Sequence, residues 1–161
     1  MKKINFYILL PLLIIGMLAC EDNENGSLSL NQIERKTSNL NLPFAGTKWK
    51  LIGFVNVKSN TIKMAKPESD SCYVITFYSD NTFSGITSTN QVDGNYEISL
   101  NAKTLKILQL GGTKINELND GNIYVANLLR VNLFSITERG LALYYDNENY
   151  YLLFKPLISS L

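Results

Sequence analysis

Histidine is absent from all 161 residues, which removes both the usual acid/base residue at neutral pH and the commonest metal ligand. Cysteine is almost as scarce: Cys20 and Cys72 are the only two. Cys20 closes an N-terminal leader, so Cys72 is the one thiol left for the folded part and has no partner for an internal disulfide. It reads as a small, buried, inert residue. Basic clusters are lacking too. Charged residues make up 18% of the chain and the formal net charge is +1; without Lys2 and Lys3, 13 bases face 14 acids. Nucleic acid is therefore excluded as a partner, because phosphate binding needs clustered Lys or Arg to release counterions.

The same shortages bear on catalysis. A hydrolase needs a nucleophile beside a base, and no motif sets a lysine or carboxylate next to Cys72. The acids Asp80, Asp93, Asp120, Glu138, Asp146 and Glu148 fall at turns, where solvation accounts for them. Asp146-Asn147-Glu148-Asn149 lacks the spaced ligands and terminal Glu of a calcium loop. Gly111-Gly112-Thr113 lacks the downstream Gly and Lys of a phosphate loop and reads as a turn. The expectation is a non-enzyme with no catalytic residue, no cofactor and no metal.

What is present begins with the leader. MKKINFYILLPLLIIGMLAC has a basic start, an apolar run from Ile8 to Leu18 broken by Pro11, and small Ala19 before Cys20. Spanning a bilayer takes ~20 apolar residues, so residues 1–19 read as a cleaved signal peptide. Met17-Leu18-Ala19-Cys20 resembles a bacterial lipobox, with Met17 where leucine is usual. That resemblance implies that Cys20 becomes the acylated N-terminus, whose multiple chains anchor the protein to a membrane. Glu21-Asp22-Asn23-Glu24-Asn25-Gly26 follows, acidic and polar, and resembles the surface-export signals of Bacteroidetes-type lipoproteins. Residues 20–41 show no sustained periodicity and read as a lipidated cysteine followed by a flexible, solvated tether. The implied address is the outer membrane, lipid-anchored, with the periplasmic and cell-surface faces both open.

At 161 residues and 45% apolar, the chain is of the kind that builds one core, which residues 42–161 are expected to hold. Trp49, Leu51 and Gly53 alternate with Lys48, Lys50 and Ile52, which predicts a half-buried strand with the indole inward. Residues 56–71 read as a long loop or an irregular edge hairpin. From Tyr73 to Ile98 the pattern predicts consecutive antiparallel strands: Tyr73, Ile75 and Phe77 on one face, a turn at Ser79-Asp80-Asn81, a return through Phe83 and Gly85, and a second turn over Asn90 to Gly94. Leu105 to Leu110 is one more strand. A helix is predicted at about Asn119 to Val131, capped by Asn119 or Asp120, with Tyr124, Leu128 and Val131 on its buried face. Leu133 to Thr137, Leu141 to Tyr145 and Tyr150 to Lys155 complete a meander. The predicted class is α+β, mainly β: an antiparallel, strongly curved sheet or partly open barrel packed on one short helix.

If the last hairpin closes on Asp146 to Asn149, Tyr145 faces Tyr150 on the core side, and Tyr144 and Tyr151 share the opposite face with Ala142 and Leu153. Tyr144 and Tyr151 are then either a cross-strand pair that supports the sheet or an aromatic contact for a glycan or a protein partner.

The order of these signals resembles the META/HslJ-like domain family. The resemblance rests on Trp49 and Leu51; Phe77, Asp80, Phe83 and Gly85; Asn90, Gly94 and Tyr96; Leu105, Ile107 and Thr113; and Tyr124, Leu128, Val131, Ile136, Leu141 and Leu143. It implies an association with stress responses and antibiotic tolerance and defines no ligand. Ser88-Thr89-Asn90 stands where that family often has Gly-Cys-Asn, and no cysteine follows Thr113, so no family disulfide carries over. The expected function is a non-enzymatic cell-envelope lipoprotein, an interaction or envelope-maintenance module that meets the membrane through acylated Cys20 and a further envelope protein or glycan. The alternative is a lipocalin-like carrier of a small apolar ligand, which predicts a cavity and no helix between the late strands.

Overall fold

The computed structural model describes residues 26–157, so the leader and Cys20 lie outside the described residues. Alternation of apolar and polar side chains lays down ten strands: β1 (Ser27–Ser29), β2 (Lys48–Asn56), β3 (Thr61–Met64), β4 (Val74–Phe77), β5 (Thr82–Ile86), β6 (Gln91–Ser99), β7 (Thr104–Gly112), β8 (Leu133–Thr137), β9 (Gly140–Tyr145) and β10 (Tyr150–Pro156). One helix, α1 (Gly121–Leu128), sits between β7 and β8. The sheet order is β1-β3-β2-β10-β9-β8-β7-β6-β5-β4, and β2 also pairs with β4, so the sheet bends into a ring. The predicted class, a mainly β α+β fold with a strongly curved antiparallel sheet on one short helix, is what the chain adopts.

The ring closes because β2 forks. Its first residues, Lys48 to Lys50, pair with Thr76 to Val74, whereas Gly53 to Asn56 pair with Met64 to Thr61. Residues 56–71 thus resolve into the hairpin β2–β3 and a connection that leads into β4. Inside the ring, Trp49, Leu51, Ile75, Phe77, Phe83, Tyr96, Leu105 and Phe154 are each 4% exposed or less. Phe44 stacks on Phe77 at 4.6 Å and reaches Phe134 at 5.0 Å. The Trp49 indole donates to the Phe44 carbonyl at 3.2 Å. The face of α1 bearing Tyr124 and Leu128 is fully buried in this cluster, as the helical spacing predicts. Asp120 takes the N-cap position, as predicted, but its side chain makes no capping bond. Its carboxylate instead accepts from Lys63 Nζ at 2.7 Å and from the Lys66 amide at 2.9 Å, which ties α1 to the β3 hairpin.

Gly111 and Gly112, read as a turn, lie inside β7, and three further expectations are corrected. The turn placed over Asn90 to Gly94 lies at Thr87 to Asn90, and Gly94 is inside β6. Its glycine serves close approach: a Cβ there would meet the Gln109 carbonyl oxygen at 1.9 Å, beside a register shift at Asn95/Tyr96. Lys50, expected to face solvent, is 3% exposed.

The third correction concerns the tether. From Ser27 onward the chain is docked: Ser27, Leu28 and Ser29 pair with Lys63, Ile62 and Thr61. Leu30 then turns into a second apolar cluster with Val55, Ile62 and Leu153 on the outer face of the sheet. Farther on, the Lys36 amide donates to the Glu138 carbonyl at 2.8 Å, and the side-chain amide of buried Asn39 donates to the same oxygen at 2.7 Å. Only three strand pairs and two short 3-10 turns make this arm, too little of either period to register in the sequence.

Candidate functional site

The last hairpin has the register the sequence predicts, with Tyr145 opposite Tyr150 and Tyr144 opposite Tyr151. Tyr144 and Tyr151 meet at 5.0 Å between ring centroids, tilted by 48°. Their face is not bare, since Leu153 is buried under the arm and Tyr151 packs against the same cluster. Burial pushes the Tyr151 hydroxyl up to about 12. Tyr144 is partly exposed and its hydroxyl is 3.4 Å from the Ser135 hydroxyl. The structure thus brings the two predicted side chains together, with one of them half enclosed.

A second feature follows from the uneven pairing of β7. Along one edge it pairs with β6 from Thr104 to Gly112. On the other edge the Cα register with β8 is a single pair, Thr104 with Leu133, flanked by bonds from Leu105 N–H to Asn132 O at 3.1 Å and from Phe134 N–H to Lys103 O at 2.9 Å. From Lys106 onward that edge has no strand partner among the described residues. A groove of about 720 Å³ opens at the other, paired end of β7, lined by Glu97, Ile98, Thr104, Lys106, Leu129 and Arg130 among others. The Arg130 guanidinium pairs with Asp146 and lies 5.8 Å from the Tyr145 ring centre. A free strand edge suits an extended polypeptide, whose main chain continues the ladder.

Two polar clusters escaped the sequence reading. Glu117, in the connection from β7 to α1, accepts from Thr87 Oγ1 at 2.5 Å, from Asn90 Nδ2 at 2.7 Å, from Thr89 Oγ1 at 3.2 Å and from the Ser88 hydroxyl. Burial works to raise its carboxyl, but the four hydrogen bonds outweigh burial and hold it below the ordinary glutamate value. Asn90 also accepts from the Ile115 amide at 2.8 Å, so the β5–β6 turn and this connection form one unit. The run Thr87-Ser88-Thr89-Asn90, four donors in sequence, was the available signal. Lys50 is the other case. Its ammonium lies 5.4 Å from the Tyr73 ring centre, and burial lowers its affinity for a proton. It lines a depression of about 180 Å³ with Asp70 and Lys155. Cys72, read as buried, is partly exposed beside the Ser88 carbonyl, 3.5 Å away.

Comparison with known proteins adds one relative. A "Putative lipoprotein" of Tannerella forsythia is 25% identical over 154 residues, covering 96% of this chain and 96% of that protein. Coverage of that extent takes in the leader and Cys20. No family model matches the chain. Among solved structures, a DUF4847 family protein from Bacteroides vulgatus superposes with a TM-score of 0.50 at 19% identity, over 69% of this chain and 92% of that one. A protein from Burkholderia xenovorans gives a TM-score of 0.55 at 18% identity, over 71% and 83%. These two likenesses concern the fold.

Proposed function

We propose that this chain is a non-enzymatic lipoprotein of the cell envelope, anchored in the outer membrane through acylated Cys20 and working as an interaction or envelope-maintenance module of the META/HslJ-like type. The observation that carries the reading is the lipobox-like Met17-Leu18-Ala19-Cys20 inside a match to a "Putative lipoprotein" that runs over 96% of both chains. The module reading over the carrier reading is supported by the ring interior, which is filled by Trp49, Phe77, Phe83, Tyr96, Tyr124 and Phe154 rather than hollow, and by the helix packed between the late strands. The contact for an envelope partner is assigned to the open edge of β7, with Tyr144 and Tyr151 as the sheet-supporting pair.

The test is fractionation of cells that make the full chain or its Cys20→Ala variant. The full chain is expected in the outer-membrane fraction with a diacyl or triacyl mass on Cys20. The variant is expected folded but released. Recovery of Cys20→Ala in the membrane at the same level would refute the anchor.

A further inference from the structure

The docked arm fixes where the anchor leaves the fold. Ser27 is the first paired residue, and its Cα partner is Lys63. Lys63 Nζ holds Asp120, the residue before α1, at 2.7 Å. Within five residues of Asp120 along the chain, three large apolar side chains stand exposed: Ile115 at 63%, Leu118 at 59% and Ile123 at 47%. The Gly121 amide donates to the Leu118 carbonyl, and the Leu118 amide donates to the Ser88 hydroxyl oxygen at 2.9 Å, so this connection is tied to the β5–β6 turn. Leu28, on the arm itself, is 41% exposed.

Chain length then selects a face. Seven chain steps lead from Cys20 to Ser27 and, at ~3.3–3.6 Å each, reach no more than about 25 Å when fully extended. A domain of this size is roughly 35 Å across. A short leash of that kind cannot let every side of the domain meet the bilayer equally; the sides near Ser27 meet it first. Had the chain been free to residue 41, the reach would have been about 70 Å and no side would have been preferred.

We infer that the corner formed by Ile115, Leu118 and Ile123 is the membrane-facing surface of the domain and rests on the phospholipid interface beside the anchor. The inference rests on the lipidation of Cys20 proposed above. Apolar side chains that stand in water in the isolated domain are removed from it there, and Lys114 on the same connection is exposed toward anionic headgroups. Leu100 provides the contrast. It is 60% exposed but lies past the far end of the nine-residue β6, about 30 Å from the Asn90 end of that strand to which the corner is bound.

The experiment uses the full lipidated chain with Cys72→Ser, carrying a fluorophore at Leu118→Cys, Ile123→Cys or Leu100→Cys, in vesicles of phosphatidylethanolamine and phosphatidylglycerol doped with headgroup spin-labelled lipid. Flotation is scored first. Quenching at positions 118 and 123 is expected to exceed that at position 100 at least threefold. Flotation with equal quenching at the three positions would overturn the membrane-facing corner and leave the anchor standing. Failure to float would overturn the anchor and the corner together. In native envelopes, shielding of 118 and 123 from aqueous iodide without quenching by the lipid label would mean that a protein covers this corner, and would overturn the lipid as its occupant.

Discussion

Glu117 shows how one side chain can hold two distant stretches of chain in place. Its folded carboxyl lies below the ordinary 4.5, so the stability it confers is fully present above that pH and is lost as pH falls through the folded value. Glu117→Gln keeps the shape but exchanges a charged acceptor for a neutral one. We expect it to cost about 1–2 kcal/mol at pH 7, the scale of charged hydrogen bonds, and to flatten the acid side of the stability profile. Urea unfolding at a series of pH values from 7 downward checks this: the two proteins should differ at pH 7, and the difference should shrink as the pH falls below 4.5. Equal midpoints at pH 7 would contradict the latch. Residue-scale features of this kind were the least legible in the sequence. Lys50 sits where alternation assigns solvent, yet the fork of β2 brings the β3–β4 connection over it. A turn glycine and a close-approach glycine are the same letter, which is why Gly94 read as a turn.

At the scale of elements, the strands with strong alternation were legible. The meander β8–β9–β10 and its tyrosine register appear where the pattern places them, and so does the buried face of α1. The arm was not legible, because its order comes from what it lands on and not from its own periodicity. Leu30 is its apolar foot, 7% exposed among Val55, Ile62 and Leu153. Leu30→Asp should undock the arm at a cost of about 1.5–3 kcal/mol, the burial of one leucine. Hydrogen exchange would then speed up at the arm amides, while amides in β5, β6 and β9 keep their protection. Exchange that rises throughout the domain would mean that the arm is part of the cooperative core.

For the whole molecule, the ring is uneven around its circumference. β10 is paired along both edges, with β2 and with β9, whereas β7 and β8 share one Cα pair. Amides on the free edge of β7 beyond Lys106 are therefore expected to exchange orders of magnitude faster than those of β9, because local opening there breaks no ladder. Residue-resolved exchange measures this, and equal protection of β7 and β9 would refute the open edge. Pattern in the sequence could place each strand but not this seam, since register offsets around a ring are set by tilt and bulges summed over all its neighbours.

The three-pair ladder at Ser27 to Ser29 also sets how the protein answers a pull from its anchor. Load applied at Cys20 arrives first at this short outermost ladder, which is expected to peel while the ring stays shut. Peeling Ser27 to Ser29 lengthens the path from seven residue steps to ten, or from about 25 Å to about 36 Å, before buried Leu30 and its amide bond to the Asn60 carbonyl take the strain. The arm behaves as a mechanical fuse that lengthens under tension and resets when the tension ends.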